Sequence, residues 1–127
     1  MTPGSAFAPY NRRCPSRTLL DTLASRWAVL IVASLGDGPL RFSELRERIG
    51  GLSQKMLSQT LRDLRRDGLV RRDAAQAGPR RVEYALTPLG ATLAPVMDDL
   101  VAWARTNAAA VLTYQSDHPD VTDQEKP

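Results

Sequence analysis

A chain of 127 residues, 43% apolar and 24% charged, has the composition of one globular domain with a modest core. Its formal net charge of +3 hides an uneven distribution: fifteen Arg or Lys stand against seven Asp or Glu from Arg12 to Arg81, but two against seven from Val82 to Pro127. A basic body of this kind suits a polyanionic partner.

Other classes are disfavoured by what the chain lacks. The longest apolar run, Trp27 to Ala33, falls far below the ~20 residues that span a bilayer. No basic segment followed by a hydrophobic stretch opens the chain, so no secretory signal is read. One cysteine, Cys14, precludes an intrachain disulfide, and no Cys/His cluster suggests zinc. A cytoplasmic location is expected, with no cofactor and no metal. No glycine-rich phosphate loop or nucleophile–base–orienter set points to an enzyme.

Residues 1–13, with Pro3, Gly4, Ser5 and Pro9, have no useful periodicity and are expected to form a flexible arm. Ser16 can cap a short helix carrying Leu19, Leu20 and Leu23. Ser25 can cap a second, on which Trp27, Leu30, Ile31 and Leu35 recur at helical spacing until Gly36-Asp37-Gly38-Pro39 ends it. Phe42, Leu45 and Ile49 mark a third helix, and Gly50-Gly51 forces a tight turn before Ser53.

From Ser53 to Gly68 the spacing predicts the helix around which the chain is organised. Leu57, Leu61 and Leu64 stack on one side with Thr60 beside them, while Lys55, Ser58, Gln59, Arg62 and Arg66 fall opposite. Ser53 suits the N-cap, and Gly68 suits the left-handed residue that ends a helix. Asp63 and Asp67 flank the polar face. Long donors without a carboxylate among them fit phosphate oxygens and the base edges of a major groove. An ordinary solvated amphipathic helix has the same pattern, so the neighbours decide. Two helices joined by a short glycine turn, the second with a polar face, form a helix-turn-helix.

After Gly68 the period becomes two. Leu69 to Arg72 is a strand candidate, and Val82, Tyr84 and Leu86 alternate with Arg81, Glu83 and Ala85. Asp73 to Arg80, with Gly78-Pro79, reads as a hairpin tip carrying Arg80 and Arg81, which makes the whole a winged helix. Thr87 caps a last helix with Pro88 at its first position. Leu89, Leu93, Val96, Leu100, Trp103 or Ala104, and Val111 recur along it, and Pro95 is expected to bend it. The expected fold is mainly α with a small antiparallel β-hairpin. Its divisions are an arm at 1–13, a winged domain with a C-terminal helix at 14–114, and a disordered acidic tail at 115–127.

The ordered set of short motifs resembles the HxlR-type winged helix-turn-helix transcriptional regulators of bacteria and archaea. From Cys14 to about Trp103 it is carried by Cys14-Pro15, Arg26-Trp27, Gly38-Pro39, Arg41-Phe42 and Glu44-Leu45. It continues with Ser53, Lys55, Leu57, Leu61-Arg62, Leu64, Gly68-Leu69-Val70, Val82-Glu83-Tyr84, Leu86-Thr87 and Leu89-Gly90. Relatives more often have Gly-Lys-Trp at Ser25-Arg26-Trp27, a change that keeps the charge. The resemblance implies a homodimer joined through the first and last helices, with recognition helices in major grooves of double-stranded DNA and wings over adjacent minor grooves.

On this reading Gln54, Ser58, Gln59 and Arg62 are the candidates for base or groove contact, and Ser53 and Lys55 for phosphate contact. Arg80 and Arg81 are candidates at the wing, since narrow minor grooves attract arginine. Arg65 and Arg66, near the helix end, are either solvated or in contact. Leu19, Leu93, Val96, Met97, Leu100 and Trp103 are the candidate dimer interface, because the last helix has more apolar positions than a small core needs. Trp27 and Trp103 read as packing residues, Asp98-Asp99 as a solvated pair, and His118 as a residue with no evident partner.

Cys14 allows two readings. Arg12, Arg13, Arg17 and a following helix N-terminus favour a reactive thiolate, and some relatives in the resembling family sense oxidants, quinones or aldehydes with a cysteine here. The other reading is a small apolar residue packed at the dimer interface. A rival to DNA binding is a winged-helix protein–protein module, which buried salt bridges at Arg62, Arg80 and Arg81 would favour.

Overall fold

In a computed structural model that describes residues 9–74 and 82–124, the apolar stripes fold into helices around one core. In chain order these are α1 (Pro15–Leu23), α2 (Arg26–Leu35), β1 (Leu40–Arg41), α3 (Phe42–Arg48), α4 (Gln54–Arg66), β2 (Val70–Ala74), β3 (Val82–Leu86), α5 (Pro88–Asp117) and α6 (Pro119–Gln124). Ser25 Oγ accepts from the Ala28 N–H, Ser53 Oγ from Met56, and Thr87 Oγ1 from Gly90, at 3.0–3.1 Å. Each hydroxyl satisfies a first-turn donor that has no helical partner. At α3 the reach is reversed: Glu44 Oε1 accepts from the Arg41 N–H at 2.8 Å. That bond holds the Glu44 carboxyl below its ordinary range, so this cap holds above that range and weakens as acid protonates the group.

Ile31, Val32, Leu45, Leu57, Leu61 and Leu64 are fully enclosed, and Ala94 and Met97 of α5 close the core from the other side. The leucine stripe of α4 is thus consumed inward, which fixes its polar face outward. Gly51, at φ +80°, makes the turn that sets α4 against α3.

The sheet has three strands in the order β1-β3-β2, all antiparallel. Val70 pairs with Leu86 and Arg72 with Tyr84, while Leu40 pairs with Tyr84 from the other edge. Two residues are too few to show a period, so β1 leaves no signal in the sequence. The second strand runs to Ala74, further than the expected Leu69–Arg72. Of the expected tip, Asp73 and Ala74 are strand residues paired with Glu83 and Val82, while Arg80, Arg81 and the rest of it, at positions 75 to 81, lie outside the described residues.

Other expectations change. Helix α1 begins at Pro15 with Cys14 as N-cap, so Ser16 is inside the helix; the fixed φ of proline suits that first position. Residues 9–13 form turns, held by the Arg17 guanidinium on the Pro9 and Tyr10 carbonyls and by the Cys14 N–H on Asn11. The chain from Gln115 stays helical to Asp117 and again in α6, where an irregular tail is expected. His118 stacks on Tyr114 with ring centroids 3.9 Å apart. As expected, one helix, α5, contains Pro95, which lies on its solvent side.

No single helix among the described residues is long and apolar enough to cross a membrane. The same residues contain no cluster of three or more His, Cys, Asp or Glu able to hold a metal.

Candidate nucleic-acid interface

Gln54, Lys55, Gln59 and Arg62 stand exposed on α4, and Ser58 is half-buried beside them. Over thirteen residues the helix is ~20 Å long, enough to lie along a major groove ~12 Å wide. Ser53 is spent as the cap, but its hydroxyl proton remains free to meet an acceptor at the helix start.

The middle of this face is prearranged by a chain of side-chain bonds. Arg62 Nη1 donates to Gln59 Oε1 at 3.3 Å, and Gln59 Nε2 donates to Asp63 Oδ1 at 3.1 Å. Asp63 also faces Arg66 at 3.6 Å. These bonds use one of the two N–H donors of the Gln59 amide and one of its two acceptor sites, so a donor and an acceptor remain for a base. Arg62 is exposed and bonded to a neutral amide, which leaves its charge uncompensated. Among the described residues Arg62 has no buried salt bridge; Arg80 and Arg81, the other two marks of the protein–protein alternative, lie outside them.

One feature of this region is not visible in the order of residues. Between the C-terminal end of α4 and strand β2 lies an open groove of about 530 Å³ lined by Arg62, Arg65, Arg66, Val70, Arg71 and Arg72. Gly68, at φ +77°, turns the chain back so that Arg71 and Arg72 return beside Arg65 and Arg66.

The expected interface residues separate. Leu19, Val96, Leu100 and Trp103 are exposed, Trp103 at 62%. Met97, at 4% exposure, is buried in its own chain's core, and Leu93 packs against that core. The reason is geometric: α5 carries two apolar stripes, and Gly90, Ala94, Met97 and Val101 form the inward one. Trp27 packs against the core with the Arg26 guanidinium 4.5 Å over its ring, while Asp98 and Asp99 are exposed. Cys14 is 6% exposed, with its Sγ 3.0 Å from Ser16 Oγ.

Three-helix packing, a three-stranded antiparallel sheet and a donor-faced α4 define a winged helix-turn-helix protein. The family model for HxlR-like helix-turn-helix proteins matches residues 22–111, and the chain belongs to that family. It is 43% identical over 114 residues to an uncharacterised HTH-type transcriptional regulator, YtfH of Escherichia coli (strain K12), covering 90% of this chain and 88% of that protein. The solved structure of ytfH from Salmonella typhimurium is 42% identical, with a TM-score of 0.77 over 84% of this chain and 96% of that one. The redox regulator HypR in its reduced form is 33% identical, with a TM-score of 0.68 over 79% of this chain and 99% of that one. The family is one of DNA-binding transcriptional regulators, not an enzyme family.

Proposed function

We propose that the protein is a homodimeric, sequence-specific regulator acting in the cytoplasm, with α4 of each subunit in a major groove of a pseudo-palindromic operator. The observation that carries this reading is the outward donor face of α4, formed by Gln54, Lys55, Ser58, Gln59 and Arg62, with the half-buried Asp63 at its flank bonded to Gln59. Ser53 and Lys55 meet phosphates, while Gln54, Ser58, Gln59 and Arg62 address base edges. Arg80 and Arg81 serve the flanking minor groove. Two-fold symmetry sets half-sites roughly 10 base pairs apart or a multiple of that. Selection of bound sequences from a random duplex pool tests the reading; an unenriched pool contradicts it. On the selected duplex Lys55→Ala is expected to weaken all sequences alike and to flatten the salt slope by about one unit. An unchanged slope would remove Lys55 from the phosphates.

Dimerisation is supported by apolar surface that the single chain leaves open. Val96, Leu100, Trp103, Val111 and Tyr114 lie along one side of α5, and Leu19 and Leu20 are open on α1. Truncation before Ala94 would damage the subunit's own core, so substitutions on the outer stripe make the cleaner test. Leu100→Glu with Trp103→Glu is expected to give a folded monomer whose operator affinity is about 100-fold lower or more, because the second half-site no longer binds in the same event. A dimer that survives both charges in sedimentation would contradict this interface.

Cys14 is the proposed point of thiol regulation. It caps α1, beside the open α1 surface, and the similarity to a redox regulator supports the reading. As the chain's one cysteine, it would yield a sulfenic acid, a mixed disulfide with a small thiol, or a bond between subunits. A mild thiol oxidant is then expected to change operator affinity by about fivefold or more in the wild type and not in Cys14→Ser. The 6% exposure favours the second reading, an apolar packing residue. An equal response in both proteins, or none in either, decides for packing.

A further inference from the structure

The arginine groove between α4 and β2 separates into engaged and available charges. Arg66 sits 3.6 Å from Asp63 and 3.5 Å from Asp67, and Arg71 lies 2.6 Å from Asp73. Arg62 is bonded to the Gln59 amide. Arg65 and Arg72 are both exposed, line the groove from its helix side and its strand side, and have no carboxylate within ion-pair reach among the described residues. Two arginines that line one open groove supply the charge and the N–H donors that suit a tetrahedral anion.

We propose that this groove is a backbone seat, in which Arg65 and Arg72 together grip a phosphodiester of the bound duplex beyond the bases that α4 reads. The inference rests on α4 being the DNA-reading helix. Arg62 and Arg65 both project from the exposed side of α4, so a strand following that face passes over the mouth of the groove. The seat ties the wing strand and the recognition helix to one phosphate, and so sets the depth and tilt at which α4 enters the groove. Its contribution is independent of sequence. A simpler role for Arg65 is to complement the negative end of the helix; that role predicts a loss of stability and no change in salt response, and it gives Arg72 no part.

The test is equilibrium binding, across a salt series, to the selected operator duplex and to a scrambled duplex of equal length. Arg65→Gln/Arg72→Gln is expected to lower the slope of log affinity against log salt by about 0.9, the share of one phosphate. Affinity falls about tenfold on both duplexes, and their ratio is preserved. Arg65→Lys/Arg72→Lys keeps the charge and is expected to keep the slope. An unchanged slope in the Gln pair, an altered ratio between duplexes, or an equal loss of slope in the Lys pair would each overturn the seat. Wild-type protein that binds neither duplex would instead overturn the reading of α4 itself.

Discussion

Gly90→Ala is expected to destabilise the domain by about 3 kcal/mol or more, a cost at the upper end for overpacking. A Cβ at this position would overlap the Leu69 carbonyl oxygen, which is backbone and has nowhere to retreat. The contact is close because α4 and α5 are joined here. Thr87 donates from its backbone N–H to the Leu69 carbonyl at 3.0 Å and from its hydroxyl to the Gly68 carbonyl at 2.6 Å. The Leu69 N–H in turn donates to Leu64 at the end of α4. One methyl group therefore wedges the start of α5 off the end of α4. Urea unfolding measures the effect, and a variant within about 0.5 kcal/mol of wild type would show that the joint yields. Function should suffer beyond stability. If α5 carries the dimer contacts, this joint transmits their geometry to α4, and surviving Gly90→Ala protein should lose operator affinity.

Arg62→Ala is expected to reduce discrimination at one base-pair position by about 1–3 kcal/mol, five- to more than a hundredfold, while affinity for unrelated duplexes falls much less. Arg62 sits mid-helix on the exposed face, where a guanidinium can reach a base edge. Its removal also frees Gln59 Oε1, so a compensating preference at a neighbouring base is an expected secondary result. Repeating the duplex selection with the variant makes the comparison. An identical selected motif at unchanged affinity would place Arg62 outside the interface.

What the sequence disclosed and what it withheld divide along the range of the signal. Ser25, Ser53 and Thr87 cap helices by bonds spanning three residues, and Leu57, Leu61 and Leu64 define a face by their own spacing. Such features are local, and they put α4 in place with its donors outward. Strand β1 depends on pairing Leu40 with Tyr84, far along the chain, and its two residues carry no period of their own. Met97 and Trp103 both belong to apolar stripes of α5, and only the position of α2 decides which stripe turns inward. The arginine groove is of the same kind. Arg65 and Arg72 become neighbours because Gly68 reverses the chain, and the residues already holding Arg66 and Arg71 single them out. The start of α1 lies two residues before the one a Ser16 cap predicts for a different reason: Cys14 is a poor cap by type, and the proline after it sets the boundary.

The measurement that bears most directly on α4 as a DNA-reading helix is the affinity of the wild-type protein for its selected duplex as salt is raised. A steep linear fall in log affinity against log salt, with a slope that Lys55→Ala reduces by about one unit, is the expected result. Binding that does not respond to salt, or a slope that Lys55→Ala leaves intact along with an Arg62→Ala motif identical to wild type, would contradict it.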